Sequence, residues 1–260
     1  MIDDADARAL AQAYFEAERN RAPIGPLTEA FPDLTLDDAY RIQDALVARL
    51  TADGQHPFGI KVGSTSKAAQ RRFKTSEPVI GTLFLQRQVA NGGAMAWDKL
   101  IAPRIECEIA VRMGADLKGP GVTSEAAQAA FASVMGAFEI VDSRTRAWRI
   151  AGIELVADNA INAGFVLGPE RPAGDLDPAG VSVMFGREGD RTTYGSGANV
   201  MGGPKFVIAW LANWLGAKGK VLKAGTVVLT GSLSEILPVN KGDRFKAEFT
   251  PLGEVEVRFD

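Results

Sequence analysis

The sequence predicts an α+β fold, with a helical layer at the N-terminus followed by a curved or rolled sheet. Three observations carry that prediction. Residues 3–51 repeat apolar positions at helical spacing, the chain from residue 57 onward is dominated by short strands broken by glycines, and only two helical segments interrupt those strands. The length of 260 residues, 46% of them hydrophobic, suits one large domain or two small ones. No internal repeat, low-complexity tract or Pro/Ser-rich linker forces a boundary. One domain over residues 1–260 is therefore expected, with the helical layer over 1–55 and the sheet core over 56–260.

The first helix is predicted by A-R-A-L-A-Q-A-Y-F-E-A-E-R, which sets Leu10, Tyr14 and Phe15 at helical spacing. R-A-P-I-G-P-L-T then reads as a loop, and T-L-D-D-A-Y-R-I-Q-D-A-L-V-A-R-L as the second helix. Thr35 with Asp38 resembles a capping box at its start, with Asp in place of the preferred Glu. The strands follow as F-G-I-K-V-G, I-E-C-E-I-A-V, A-G-F-V-L-G, T-V-V-L-T-G and E-V-E-V-R-F. The two interrupting helices are S-E-A-A-Q-A-A-F-A-S-V-M-G, after Thr123 and Ser124, and P-K-F-V-I-A-W-L-A-N-W-L-G.

Composition excludes several functions. The 29 basic residues are scattered among 32 acidic ones for a net charge of -3, so no basic stripe invites nucleic acid. The single cysteine excludes an internal disulfide and any multi-cysteine metal site, and suits a reducing compartment. The start M-I-D-D-A-D-A-R lacks the basic and apolar regions of a signal peptide, and no apolar run is long enough to span a membrane, so a cytoplasmic protein is expected. The only histidine, His56, sits in the turn-like D-G-Q-H-P-F, where a surface role is the ordinary one. No G-x-G-x-x-G or other phosphate-binding fingerprint is present, which disfavours a nucleotide cofactor.

The stretch P-R-I-E-C-E-I-A-V, residues 103–111, puts Glu106 and Glu108 into a run that otherwise reads as a sheet interior. On a strand both project to one face, while Ile105, Cys107 and Ile109 take the other. Paired carboxylates shielded from water need a cation, a proton or a basic partner. On the wet face of a half-buried strand they need nothing, and the spacing leaves both readings open. A third carboxylate, Glu139, lies among Phe138, Ile140 and Val141 in M-G-A-F-E-I-V-D-S-R. Lys61 in G-I-K-V-G faces opposite to Ile60 and Val62, either toward solvent or into a site.

Taken together and in this order, G-I-K-V-G-S-T-S-K, P-R-I-E-C-E-I-A, A-F-E-I-V-D-S-R, V-A-D-N-A, G-A-N-V-M-G-G-P, A-W-L-A-N and V-L-T-G-S-L resemble the 2-keto-4-pentenoate hydratase group. That group also contains 4-oxalocrotonate decarboxylases and belongs to the fumarylacetoacetate hydrolase superfamily. The resemblance runs from about Ala39 to the C-terminus. It implies a mixed β-roll in which Glu106, Glu108 and Glu139 bind Mg²⁺ or Mn²⁺, which keep oxygen coordination and leave positions for a bidentate acid. It implies further that Lys61 contacts substrate and transfers protons, with a pKa lowered beside the metal.

Substrate contacts are implied in the loop of Ser64, Thr65 and Ser66 and at Thr230, Gly231 and Ser232, although Thr65 or Ser66 would equally cap a helix. Gly231 would permit close backbone approach. Asp142, Ser143, Arg144, Asp158 and Asn159 would order the ligands or simply cap turns, and Asp158 and Asn159 are expected among the substrate contacts as well.

The chain departs from the group's pattern at two positions. It has Glu77-Pro78-Val79-Ile80-Gly81 where hydratases usually carry an acidic residue in E-P-D-F-G or Q-P-D-F-G. It has Ile161 where some members carry a polar group. The resemblance therefore implies an intact metal platform beside an altered environment for the second reactant.

The activity expected first is a hydro-lyase of aromatic catabolism that adds water to a 2-hydroxy-2,4-dienoate and forms a 4-hydroxy-2-oxo acid. Decarboxylation of a 4-oxalocrotonate-like 2-oxo-enedioate is the alternative. A non-catalytic metabolite-binding or accessory subunit is a third reading, motivated by Val79 and Ile161. Hydrolysis of a carbon–carbon bond is disfavoured, because such hydrolases want a histidine-centred base and only His56 is available. The expected partners are the small acid, further copies of the chain in a homo-oligomer, and a partner decarboxylase or hydratase. Neither nucleic acid nor membrane is expected.

Overall fold

The structure, a computed structural model, describes residues 2–260. The helical layer consists of α1 (Asp4–Asn20), a single-turn α2 (Leu27–Ala30) and α3 (Leu36–Ala52). The expected loop R-A-P-I-G-P-L-T thus contains the start of α2, which begins directly after Pro26. Asp3 caps α1 through the Asp6 amide, and Thr35 and Asp38 close both halves of the predicted capping box on α3. A cap of this kind stabilises a helix by about 1 kcal/mol.

Beyond the layer, β1 (Pro57–Gly63), α4 (Lys67–Phe73), β2 (Val79–Phe84), β3 (Gln88–Val89), β4 (Ala94–Met95) and β5 (Arg104–Met113) follow in order. Next come α5 (Ser124–Ala129), β6 (Phe131–Val141), α6 (Gly152–Ala157), β7 (Asn162–Leu167), β8 (Arg171–Pro172), β9 (Ser182–Arg187) and β10 (Thr192–Ser196). The chain ends through α7 (Pro204–Ala217), β11 (Val227–Ser232), β12 (Leu237–Pro238), β13 (Arg244–Thr250) and β14 (Gly253–Phe259).

One expected helix is corrected. S-E-A-A-Q-A-A is helical only to Ala129, and F-A-S-V-M-G opens the long strand β6. The reason is tertiary: β6 pairs with β5 along nearly its whole length, and its residues beyond Ser133 are buried without interruption. A strand buried on both faces shows no alternation to read.

The main sheet is nine-stranded, in the order β2-β1-β11-β5-β6-β7-β3, with β12 and β8 attached at β5 and β6. It is mixed, since β1 runs parallel to β11 and β3 to β7 among antiparallel neighbours. A second, five-stranded sheet runs β10-β9-β13-β14-β4. Ile105, Cys107, Ile109, Phe138 and Ile140 meet the second sheet in the principal core. Phe138, Phe185, Phe245 and Phe259 form an aromatic row there, with successive centroids 5.4, 6.0 and 6.0 Å apart. The helical layer packs over the opposite side, where Tyr14, Phe15, Ile42 and Leu46 share a second core with Phe73, Val79, Phe84, Leu155 and Ile161. The glutamate-bearing face of β5 therefore looks toward the helical layer, away from the principal core.

A candidate metal centre at the floor of a cleft

Strand register assembles the carboxylates. Glu106 stands directly opposite Glu139 across the β5–β6 ladder, and Glu108 lies two residues along the same face, opposite Ala137. Each glutamate offers one oxygen, and these oxygens lie within 4.8 Å of one another. Glu108 and Glu139 are buried and Glu106 half-buried.

Two neighbours fix the carboxylates. The Gly231 amide donates to Glu108 Oε2 at 2.7 Å, and Asn162 Nδ2 donates to Glu139 Oε1 at 2.9 Å. Glu108 Oε1 is buried with no hydrogen-bond partner among the described residues. A buried carboxylate oxygen left bare beside two more carboxylates is a donor set for a hard divalent cation, with oxygen chemistry that suits Mg²⁺ or Mn²⁺ better than Zn²⁺.

The electrostatics agree. Burial pushes Glu106 up to about 7, with Lys61 acting in the lowering direction and Glu139 raising it further. Burial, then the fields of Glu139 and Glu106, push Glu108 well above the carboxylate range. A metal-free triad thus holds protons that a cation would displace.

Lys61 is buried on β1, with Nζ 3.0 Å from Glu139 Oε2 and donating to the Ala160 carbonyl at 3.1 Å. Burial works against its charge, but the fields of Glu139, Glu106 and Glu108 outweigh it and lift the amine above its ordinary value. Three carboxylates face this amine and favour its charged form.

The Ala160 carbonyl owes its position to an unusual turn. Asn159, Ala160 and Ile161 have φ of 50°, 49° and 57°, a left-handed run in which a β-branched residue is rare. Asn159 holds this turn by accepting from the Thr82 amide at 2.7 Å and donating to its carbonyl at 2.9 Å.

A cleft opens above the triad. Lys61, Gly63, Ser64, Thr65, Ser66, Glu106, Gly231 and Ser232 line it together, joined by Phe73, Leu155, Ile161 and Ile236. Ser64 has φ of 54° and a buried hydroxyl with no partner among the described residues. Ser66 caps α4, accepting from the Ala69 amide at 3.1 Å, and the Ser232 hydroxyl donates to Ser234 O at 3.1 Å. Gly231 has φ of 105°, and a Cβ there would run into the Thr65 side chain.

Three expected substrate contacts lie elsewhere. The Thr230 hydroxyl is buried and bound to Ile109 O at 2.8 Å. Asp158 is buried against Arg144, with Nε to Oδ1 at 2.5 Å, and Asn159 is spent on Thr82. Each brings its polar atoms to the scaffold, because a buried turn must satisfy its own backbone groups first.

His56 is exposed in its turn and does not line the cleft. Burial pushes the Cys107 thiol up to about 12, on the far face of β5 from the glutamates, so it is no nucleophile. Val79 is fully buried against the second core, and a methyl built on Gly63 would lie 3.4 Å from Val79 Cγ2 and 3.5 Å from Lys61 Nζ. The departure from the acidic motif and the Lys61 amine thus flank the same space beside Gly63.

Sequence reasoning missed Arg72, Arg104 and Trp148, which complete the cleft. Arg72 ends a basic helical run and Arg104 opens β5, and no local pattern joins them. Asn162 was legible only as the residue after Ile161. An amide at the start of an otherwise apolar strand was the available signal.

Residues 59–260 match the model of the fumarylacetoacetate (FAA) hydrolase C-terminal family. The chain is 39% identical over 252 residues to a 2-hydroxyhexa-2,4-dienoate hydratase of Comamonas testosteroni, covering 95% of each chain. It is 34% identical over 268 residues to a 2-oxo-hept-4-ene-1,7-dioate hydratase of Escherichia coli, covering 100% of both. A 4-oxalocrotonate decarboxylase from Pseudomonas putida G7, solved with magnesium and adipate, superposes with a TM-score of 0.97 at 34% identity, over 100% of this chain and 99% of that one.

Proposed function

Because the chain belongs to the fumarylacetoacetate hydrolase family, we propose that it is a Mg²⁺-dependent hydro-lyase that converts a 2-hydroxy-2,4-dienoate into a 4-hydroxy-2-oxo acid. The observation that carries this reading is the three-glutamate cluster with Lys61 in contact with Glu139, from which Glu106 and Lys61 face one cleft. Glu106, Glu108 and Glu139 would hold the metal, with Mn²⁺ as the alternative ion. When bound, it supplies Lewis-acid stabilisation of the substrate's carboxylate and 2-oxygen.

The protein's own groups do the rest. Lys61 Nζ moves the proton that leaves the 2-hydroxyl and ends on the terminal carbon of the dienol, giving a 2-oxo-3-enoate. Water then adds across the remaining double bond, with its oxygen on the distal carbon and its hydrogen on the carbon beside the carbonyl. The cationic amine opposes build-up of free negative charge on the 2-oxygen as the enolate forms. Gly231 and Asn162 keep Glu108 and Glu139 aimed, and the Ser64 hydroxyl is free to donate to the acid. Phe73, Leu155 and Ile161 exclude bulk water from the wall.

The relatives and Val79 favour a second reading, decarboxylation of a 2-oxo-3-enedioate. There the bond to the distal carboxylate breaks, CO₂ leaves, and its electron pair passes through the chain to the 2-oxygen, which takes a proton. Val79 puts an apolar side chain where the acidic motif would put a further carboxylate to hold water. Either reaction belongs to cytoplasmic breakdown of aromatic ring-cleavage products, with a partner decarboxylase or hydratase supplying or consuming the dienol. We place the enzyme in a homo-oligomer as well.

The test follows ultraviolet absorbance of a dienol with Mg²⁺ and with chelator, while assaying CO₂. Metal-dependent loss of absorbance without CO₂ is expected. Stoichiometric CO₂ from an enedioate selects the second reading, and no turnover on either substrate leaves a binding subunit.

A further inference from the structure

Arg72 and Arg104 both line the cleft, yet neither guanidinium has a carboxylate or hydrogen-bond partner among the described residues. Elsewhere the buried arginines are paired: Arg87 reaches Glu18 at 2.7 Å and Arg144 reaches Asp158 at 2.5 Å. Arg104 is half-buried, and its guanidinium stacks 4.1 Å from the centroid of the Trp148 ring. Trp148 is itself held by Nε1 donating to Ala102 O at 2.9 Å. Stacking fixes the plane of a guanidinium and leaves its N–H edge unbonded. Arg72 is exposed at the end of α4, and its field reaches Glu106. Two like charges at one mouth repel, and an anion between them relieves that repulsion.

The spacing defines the anion. Arg104, Glu106 and Glu108 alternate onto one face of β5. Arg104 therefore sits two strand residues, about 7 Å, from the first glutamate of the triad. An acid anchored at the triad by its carboxylate and 2-oxygen would carry its far end toward the arginines, after a chain of about six or seven carbons.

Resting on the function proposed above, we infer that Arg72 and Arg104 bind a second, distal carboxylate, so that the substrate is a 2-oxo or 2-enol α,ω-dicarboxylate rather than a monoacid dienoate. Guanidinium groups suit this task because they present paired donors to a carboxylate. Two uncompensated cations would gain nothing from an alkyl terminus.

The test uses unreactive probes that differ only at the far end, 2-oxohexanedioate and 2-oxohexanoate, titrated calorimetrically into the Mg²⁺-loaded protein. The dicarboxylate is expected to bind about tenfold more tightly, a margin limited by the exposure of Arg72. The margin should collapse in Arg72→Gln and Arg104→Gln and return in part in Arg104→Lys, with Mg²⁺ affinity and thermal unfolding confirming that each variant is folded. Should either variant fail to fold, the wild-type margin and its loss at high salt decide. Equal binding of the two probes, or a margin that survives both substitutions, overturns the inference while Mg²⁺-dependent dienol turnover still stands. Conversely, a margin without turnover of any dienoate or enedioate keeps the dicarboxylate site and removes the proposed reaction.

Discussion

At the scale of single residues, the centre is built from charges that burial makes costly, and pH reports on them directly. Glu106 is held at about 7 against an ordinary 4.5, chiefly by burial. The folded metal-free protein therefore binds more protons than the unfolded chain between those two values. Stability consequently falls as pH rises through that window. Thermal unfolding of the metal-free protein should show its midpoint dropping from pH 5 toward pH 7. Added Mg²⁺ should restore the midpoint at pH 8 and do little at pH 5, because binding must displace protons. A midpoint that climbs with pH in the absence of metal would contradict the arrangement of charges described. Much of this was legible in the sequence: E-x-E on a strand and a lysine out of phase with its apolar neighbours are local patterns. The roles of Asp158, Asn159 and Thr230 were not legible, because their partners Arg144, Thr82 and Ile109 are brought to them only by the fold.

Among elements, β11 contributes the least visible support. Its Gly231 amide holds Glu108, and its φ of 105° is one that side chains rarely adopt. Gly231→Ala meets both obstacles, the backbone conformation and the Thr65 side chain. The cost should be about 1–3 kcal/mol in chemical denaturation. Mg²⁺ affinity should fall with it, since Glu108 loses its donor. Unchanged denaturation and metal titration would argue that the β11 turn is not rigid. The glycine-bounded strands were readable because turn chemistry is local. The reach of α5 was overestimated because an alanine-rich run and a doubly buried strand look alike until β5 pairs with the latter.

For the whole molecule, the helical layer is wired to the three-glutamate cluster. Glu18 of α1 pairs with Arg87 at 2.7 Å, Arg87 donates to Asn162 O at 2.7 Å, and the Asn162 side chain donates to Glu139. Arg144 converges on the same Asn162 carbonyl at 3.2 Å. We propose that the described residues 2–260 fold as one unit, with layer and sheet sharing the second core. Glu18→Ala should destabilise the protein by about 1–3 kcal/mol, less than a fully buried pair would, because Glu18 is partly exposed. It should also weaken Mg²⁺ binding severalfold, as read by denaturation and metal titration on the same samples. The facing of Glu106 and Glu139 across one rung also constrains how such a chain can lengthen or shorten over generations. One residue inserted within either strand shifts the register and turns the side chains on one side of the insertion to the other face of the sheet. Length variation is therefore tolerable in connections such as that around Gly121, which has open space beside it. Within the paired strands, ancestry must be written in substitutions.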